Sequence, residues 1–284
     1  MIIGGNKEAV IRNIEAATQR HDYNAKVEIH DPVLSDEQRQ QLLSNYFKNH
    51  RKLSYHIKNI IARDITDTIA TKMAPPITIK GLEKIANIKS GAIITSNHFN
   101  PLDNMAIRKM VKAVGRKHLY IVIQDTNLKM TGIIGFLMNY DDTLPIGPST
   151  NYMGHEFPQL LQSVLAKKQF ILIYPEQEMW FNYRKPRPLK RGPYYYAARF
   201  NVSVISCFIE IRDLPQKDND EFYQVEYIVH ILPTIYPDAN KDVRTNSLAM
   251  MKQDYLQKKA AYERIYHQPL DYHFQDDDIA GWIH

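Results

Sequence analysis

Cysteine is all but missing from this chain: Cys207 stands alone among 284 residues, so no intramolecular disulfide forms and no thiolate cluster is on hand for a metal. Such usage fits a reducing, cytoplasmic compartment, which is the expected location. Long apolar runs are missing too. The nearest to a membrane-spanning stretch is the uncharged run 130–140, well short of the roughly 18 apolar residues that a spanning helix needs. At the amino end, Lys7 and Glu8 interrupt 1–10, which lacks the apolar centre of a secretory signal, so the mature chain is expected to begin here. Several chemical signatures are absent as well: there is no Gly-x-Ser-x-Gly elbow, Walker loop, Gly-x-Gly-x-x-Gly turn or His-Glu-x-x-His pair. His155-Glu156 runs into Phe157-Pro158, which breaks the last of these. No nucleic-acid module is recognisable, so no nucleic-acid partner is expected.

What is present describes a folded protein. Hydrophobic residues make up 44% and charged residues 24%, near the globular average, and the net charge of +5 mildly favours an anionic partner. Between 35 and 73, Leu42, Tyr46, Leu53, Ile57, Ile60, Ile61, Ile65 and Ile69 recur at three- and four-residue steps. Ser35 with Gln38 forms a capping-box pattern at the start. The spacing predicts an amphipathic helix or helical pair packed on the core, with a membrane-surface helix as the second reading. Pro75 and Pro76 end it.

A different pattern follows. Apolar runs at Ala92–Thr95, 119–123, 170–174 and 202–211 alternate with helical intervals such as 159–168 and 194–200. That alternation predicts an α/β fold, a mixed and largely parallel sheet flanked by helices. The strand-like 222–232 is expected to close the sheet, and 245–266 to form a last capping helix. Beyond Pro269 the acidic tail is expected to be loose. The division that follows is an N-terminal helical segment, 1–73, packed on an α/β domain, 74–284.

Chemistry concentrates where Ala92–Thr95 runs into Ser96-Asn97-His98-Phe99-Asn100-Pro101-Leu102-Asp103, ahead of a helical stretch. In open α/β sheets, sites form at the carboxyl ends of strands, and Asp suits a first helical turn as cap and for the helix dipole. The turn brings His98 and Asp103 within reach of one another. An aspartate on one imidazole nitrogen leaves the other as a base for a hydroxyl that attacks a carbonyl. His273 and Asp278 share this spacing, but no strand precedes them, so that pair reads as accidental. The His and Asp residues of the tail have no ligand spacing, and no metal is expected.

Asn97-His98-x-x-x-x-Asp103 resembles the first motif of the lysophosphatidic acid acyltransferase family, the glycerolipid acyltransferases, which often carry a serine where Asn100 stands. The stretch 170–174 into Pro175-Glu176 is similar to their third motif, Phe-Pro-Glu-Gly-Thr-Arg. Leu189-Lys190-Arg191-Gly192 before the run 202–209 resembles the step to their fourth. This chain departs from the pattern at Gln177-Glu178-Met179, where Gly-Thr-Arg is usual, at Ser203 and Ser206, where prolines are usual, and at 136–146, which lacks the second motif's arginine.

The resemblance implies a glycerolipid acyltransferase-like fold. It also implies transfer of a fatty acyl group from an acyl thioester, on coenzyme A or acyl carrier protein, to a hydroxyl of a lysophospholipid-type acceptor, without a covalent intermediate or bound cofactor. His98 and Asp103 would be catalytic, and Asn97, Asn100, Glu176, Arg184, Lys190 and Arg191 would bind substrate. Peripheral contact with an anionic membrane at its cytoplasmic face is expected. The missing arginine keeps a phosphate-free acceptor open, such as a glycolipid or polyol; a non-catalytic module that binds anionic membranes or a partner through the N-terminal helix and the basic loop of Arg184, Lys185, Arg187, Lys190 and Arg191 is the other alternative.

Overall fold

The computed structural model describes residues 7–29, 34–72 and 74–283; the opening stretch 1–6, read above for a leader, and residue 73, the expected division, lie outside it. Three helices come first: α1 (Lys7–Gln19), α2 (Asp36–His50) and α3 (Leu53–Lys72). Ser35 caps α2 through the expected capping box, its hydroxyl accepting from Gln38 N and its own N–H donating to the Gln38 side chain. Seven strands and six helices then alternate: β1 (Ile77–Lys80), β2 (Ala92–Thr95), α4 (Asn104–Ala113), β3 (Leu119–Gln124), α5 (Gly132–Tyr140), β4 (Thr143–Ile146), α6 (Thr150–Gly154), α7 (Glu156–Ala166), β5 (Phe170–Leu172), α8 (Gly192–Arg199), β6 (Ser203–Lys217), β7 (Tyr223–Ile231) and α9 (Val243–Tyr266).

The strands form one sheet in the order β1-β7-β6-β2-β5-β3-β4, parallel throughout except where β6 meets β7. β2 and β5 are buried along their whole length, as continuous apolar strands covered on both faces must be. β7 does not close the sheet as expected. β1 pairs outside it in parallel, a strand too short and too polar at Thr78 and Lys80 to stand out in the sequence. β4, also unforeseen, carries Pro145, which an edge strand tolerates because one side of its backbone has no ladder to complete.

Two expectations are corrected. The aliphatic stripe predicted between 35 and 73 packs on the core through Leu42 and Tyr46 of α2, but on α3 Leu53, Ile57, Ile60 and Ile61 are exposed, at 78%, 57%, 52% and 46%. α3 instead buries Tyr55, Asn59, Ala62 and Thr66. Polar partners choose that face, since Asn59 donates to Tyr140 O at 2.7 Å and to Asp142 at 2.9 Å, and Thr66 Oγ1 donates to Asp141 at 2.7 Å. Turning α3 over would strand these carboxylates and the Tyr140 carbonyl in the interior, at about 1–3 kcal/mol for each group left unsatisfied. The tail is not loose either. Ile279 and Ala280 are buried, and the Asp278 carboxylate, itself buried, takes the Lys185 ammonium at 2.8 Å.

α1 lies against the loop that follows β5: Val10, Ile11, Ile14 and Ala17 share a cluster with Trp180, Phe181, Tyr183, Phe222 and Ile279. The strap after α1 tightens that contact. Asn24 donates to Glu176 O at 3.0 Å, Trp180 Nε1 donates to Ala25 O at 2.9 Å, and Arg187 donates to Tyr23 O at 3.1 Å.

Candidate active site

At the carboxyl end of β2 the chain leaves the sheet through Ser96 and Asn97. Asn97 imitates one more rung of the ladder: its side chain donates to Ile209 O at 3.0 Å and accepts from Ile209 N at 2.8 Å. His98 follows, then a turn in which the Asn100 side chain accepts from Leu102 N at 3.0 Å and donates to Asn182 at 3.3 Å. Asp103 stands at the start of α4 but makes no capping bond. Its carboxylate turns back instead. Oδ2 accepts from Phe99 N at 2.9 Å and Asn100 N at 3.3 Å, and lies 2.8 Å from His98 Nδ1.

An ionised carboxylate only accepts, so Nδ1 carries the proton and Nε2 presents its lone pair. The His98 side chain is 21% exposed and that of Asp103 1%, which leaves the imidazole open and its partner enclosed. Among the described residues, Nε2 meets no hydrogen-bond partner. Tyr174 touches both groups, its hydroxyl donating to Asp103 Oδ1 at 2.5 Å and its ring stacked on the imidazole.

The loop after β5 fixes His98 from the other side. Glu176 accepts His98 N at 3.3 Å through Oε2 and Arg187 N at 3.0 Å through Oε1, while the Arg187 guanidinium pairs with Oε2 at 3.0 Å. Both side chains are almost fully enclosed. Arg187 also donates to His98 O and packs over the Trp180 ring. Burial pulls the guanidinium below its usual range, and the Glu176 charge opposes that shift. Gln177, where the resembling family has glycine, adopts a left-handed backbone with φ 67°, a conformation glycine takes without strain.

The residues expected to bind substrate therefore separate. Asn97, Asn100 and Glu176 are buried and spend their polar atoms on the loops that carry His98. Arg184 faces elsewhere, pairing with Asp213 at 2.5 Å beside the Tyr266 ring. Lys190 and Arg191 stay outermost. Lys190 N donates to Pro175 O at 2.8 Å, which holds this residue beside the Tyr174 turn, and Arg191 is exposed at the start of α8. Sequence reasoning missed Tyr174, although it ends a quoted stretch, because an aromatic before Pro-Glu reads as core. Arg187 belongs to the basic loop expected to meet an anionic group, and it turns inward to Glu176 instead.

Cys207 is fully buried, and burial pushes its thiol up to about 12, out of range for a nucleophile. His273 and Asp278 do not pair, since Asp278 is taken by Lys185. No group of three or more metal-ligating side chains converges among the described residues.

Comparison with known proteins gives a consistent picture. Residues 76–210 match the family model described as Acyltransferase, a span that contains His98, Asp103, Tyr174 and Glu176. No curated protein matches the chain in sequence. Among solved structures the fold is similar to the 1-acyl-sn-glycerophosphate (LPA) acyltransferase PlsC from Thermotoga maritima, with a TM-score of 0.51 and 11% identity over 93% of this chain and 99% of that one. The Acyltransferase match thus covers the motif-bearing segment, and the likeness to the solved structure is one of fold along nearly the whole chain.

Proposed function

We propose that this protein moves a fatty acyl group from an acyl thioester, on coenzyme A or acyl carrier protein, to a hydroxyl of a lysophospholipid-type acceptor such as 1-acylglycerol-3-phosphate. One observation carries the mechanism: an imidazole whose Nδ1 is held by a buried carboxylate at 2.8 Å while its Nε2 is unoccupied. In the proposed step, Nε2 takes the acceptor hydroxyl's proton as that oxygen attacks the thioester carbonyl. The tetrahedral adduct then expels the thiolate, which recovers the proton from the imidazolium. An ester and a thiol result, and no protein group is acylated. General-base assistance of this kind contributes about 10²–10⁴-fold, with positioning supplying much of the rest.

Lys190 and Arg191 are the proposed contacts for an acceptor phosphate. Lys190 is tied by its backbone to Pro175, Arg191 follows it, and among the described residues no hydrogen bond or ion pair engages either cationic head. A second reading, the same chemistry on a phosphate-free glycolipid or polyol, draws support from the rest of that loop. Arg184, Lys185 and Arg187 are each committed to a carboxylate of the protein itself.

A peripheral position at a membrane is part of the proposal. The exposed Leu53, Ile57, Ile60 and Ile61 of α3, with Ile133 and Ile134 on the neighbouring α5, form the kind of apolar surface that soluble proteins keep small. No helix among the described residues is long and apolar enough to cross a membrane.

The test offers purified protein both thioester donors with lysophosphatidic acid, a monoacyl glycolipid and glycerol, and identifies the acylated product by mass spectrometry. Thiol release without any acylated acceptor would remove the proposal. Product from the glycolipid alone would select the second reading.

A further inference from the structure

Tyr174 ends the short passage from β5 to the Glu176 loop. Its hydroxyl donates to Asp103 Oδ1 at 2.5 Å, and its ring lies face to face with His98, centroids 3.9 Å apart and planes 14° apart. One side chain thus touches both members of the dyad. The motif that this stretch resembles carries phenylalanine at the same place, so the hydroxyl is what this chain adds.

We infer that Tyr174 is a positioning residue of the dyad: its hydroxyl sets the rotation of the Asp103 carboxylate, and its ring sets the plane of the imidazole. The inference rests on the reading of His98 as a base.

The distribution of donors around Asp103 is the main argument. This carboxylate is enclosed, and among the described residues no lysine or arginine pairs with it, so hydrogen bonds alone hold its charge. Oδ2 has three donors: His98 Nδ1, Phe99 N and Asn100 N. Oδ1 has Tyr174. Without that hydroxyl, one oxygen of a buried anion loses its partner, and the group either rotates or shifts more charge toward Nδ1. Burial and the Asp103 charge push the phenol well above its ordinary value, so the hydroxyl remains a donor wherever the enzyme works. The ring acts separately. When Nε2 takes a proton, the resulting cation lies against the electron-rich face of the phenol.

Tyr174→Phe removes the hydroxyl and keeps the stack. The expected result is a kcat about tenfold lower, as for the loss of a charge-assisted hydrogen bond, with KM within about twofold. The acidic limb of the kcat pH profile should move to higher pH, because a carboxylate with one donor fewer holds the imidazole proton more tightly. Tyr174→Leu, which also removes the stack, should lower kcat further. In an Asp103→Asn background the Tyr174→Phe effect should vanish, since the residue acts through that carboxylate. A purely structural tyrosine would lower the melting temperature without moving the pH limb, and that pattern would overturn the inference. So would a folded Tyr174→Phe with wild-type kcat. Full turnover by His98→Ala would instead overturn the base on which the inference rests, so the two failures are distinguishable.

Discussion

Two histidines in this molecule hold an aspartate at the same distance. His98 Nδ1 and His118 Nδ1 each lie 2.8 Å from a carboxylate oxygen, of Asp103 and Asp142 respectively. They stand at opposite ends of the sheet, His98 beyond the carboxyl end of β2 and His118 just before the amino end of β3. Exposure hardly separates them, at 21% and 29%. Nor does room, because a cleft of about 440 Å³ opens beside His118, lined also by Lys89, Arg116 and Lys117. The difference lies at the second nitrogen. Arg63 Nη1 sits 3.3 Å from His118 Nε2 and 3.5 Å from Nδ1, so a permanent cation already lies against this imidazole and opposes a second positive charge on it. Among the described residues, His98 Nε2 has no such neighbour. The proposed base is therefore set apart by its unclaimed nitrogen, and the pair distance alone does not tell.

The largest effect should come from breaking the two pairs in turn. His98→Ala is expected to lower kcat by about 10²–10⁴-fold with the melting curve in place, whereas His118→Ala should leave turnover within about twofold. Equal losses in a thioester-release assay would erase the distinction.

On stability the order should reverse. His118→Ala takes from the buried Asp142 Oδ2 its His118 donor and should cost about 1–2 kcal/mol in denaturant titration, while His98→Ala should cost less, because Asp103 Oδ2 keeps Phe99 N and Asn100 N.

A pH experiment sharpens the role of the same helix junction. Burial holds the neighbouring Asp141 carboxyl above its ordinary value, although Arg108 and Thr66 pull it down. The folded chain therefore binds this proton more readily than the unfolded chain. The group favours folding fully below the ordinary carboxylate value of about 4, and that contribution is lost as pH rises through the raised folded value. Thr66→Val removes a donor to the anion and should destabilise the protein by about 1 kcal/mol more at pH 7 than at pH 4. An equal loss at both values would show that the hydroxyl does not sense the charge.

The smallest effect belongs to Gln177. Replacing it by glycine relieves a left-handed backbone and should raise stability by up to about 1 kcal/mol in the same titration, with the unfolded chain's added freedom working against it. A loss of stability would mean that the Gln177 side chain makes its own contribution to the loop.

Much of the sheet was legible because its central strands are continuous apolar runs between turns: Ala92–Thr95 is a strand over the bounds read from the sequence. β1 and β4 were not legible, being four residues long and broken by polar or proline positions. The meeting of His98 with Asp103 followed from strand, turn and helix within six residues, all local. Partners that lie far along the chain were hidden. Tyr174 reaches Asp103 across 71 positions, and Arg187 turns inward to Glu176 from a basic loop whose composition points to an anionic ligand or to solvent. α3 failed for a related reason. Periodicity ranks faces by aliphatic content, but Asn59 and Thr66 are drawn inward by Asp141 and Asp142, which no local pattern announces.

The strap at 23–25 has a practical corollary. It braces the rear of the Glu176 loop through Asn24, Ala25 and Tyr23, all upstream of the segment 76–210 that matches the Acyltransferase model. A fragment trimmed to that segment would keep every motif residue and lose the bracket that stops Arg187 and Trp180 from drifting. The geometry around His98 is a property of the motifs together with a short piece of chain that no motif search would retain.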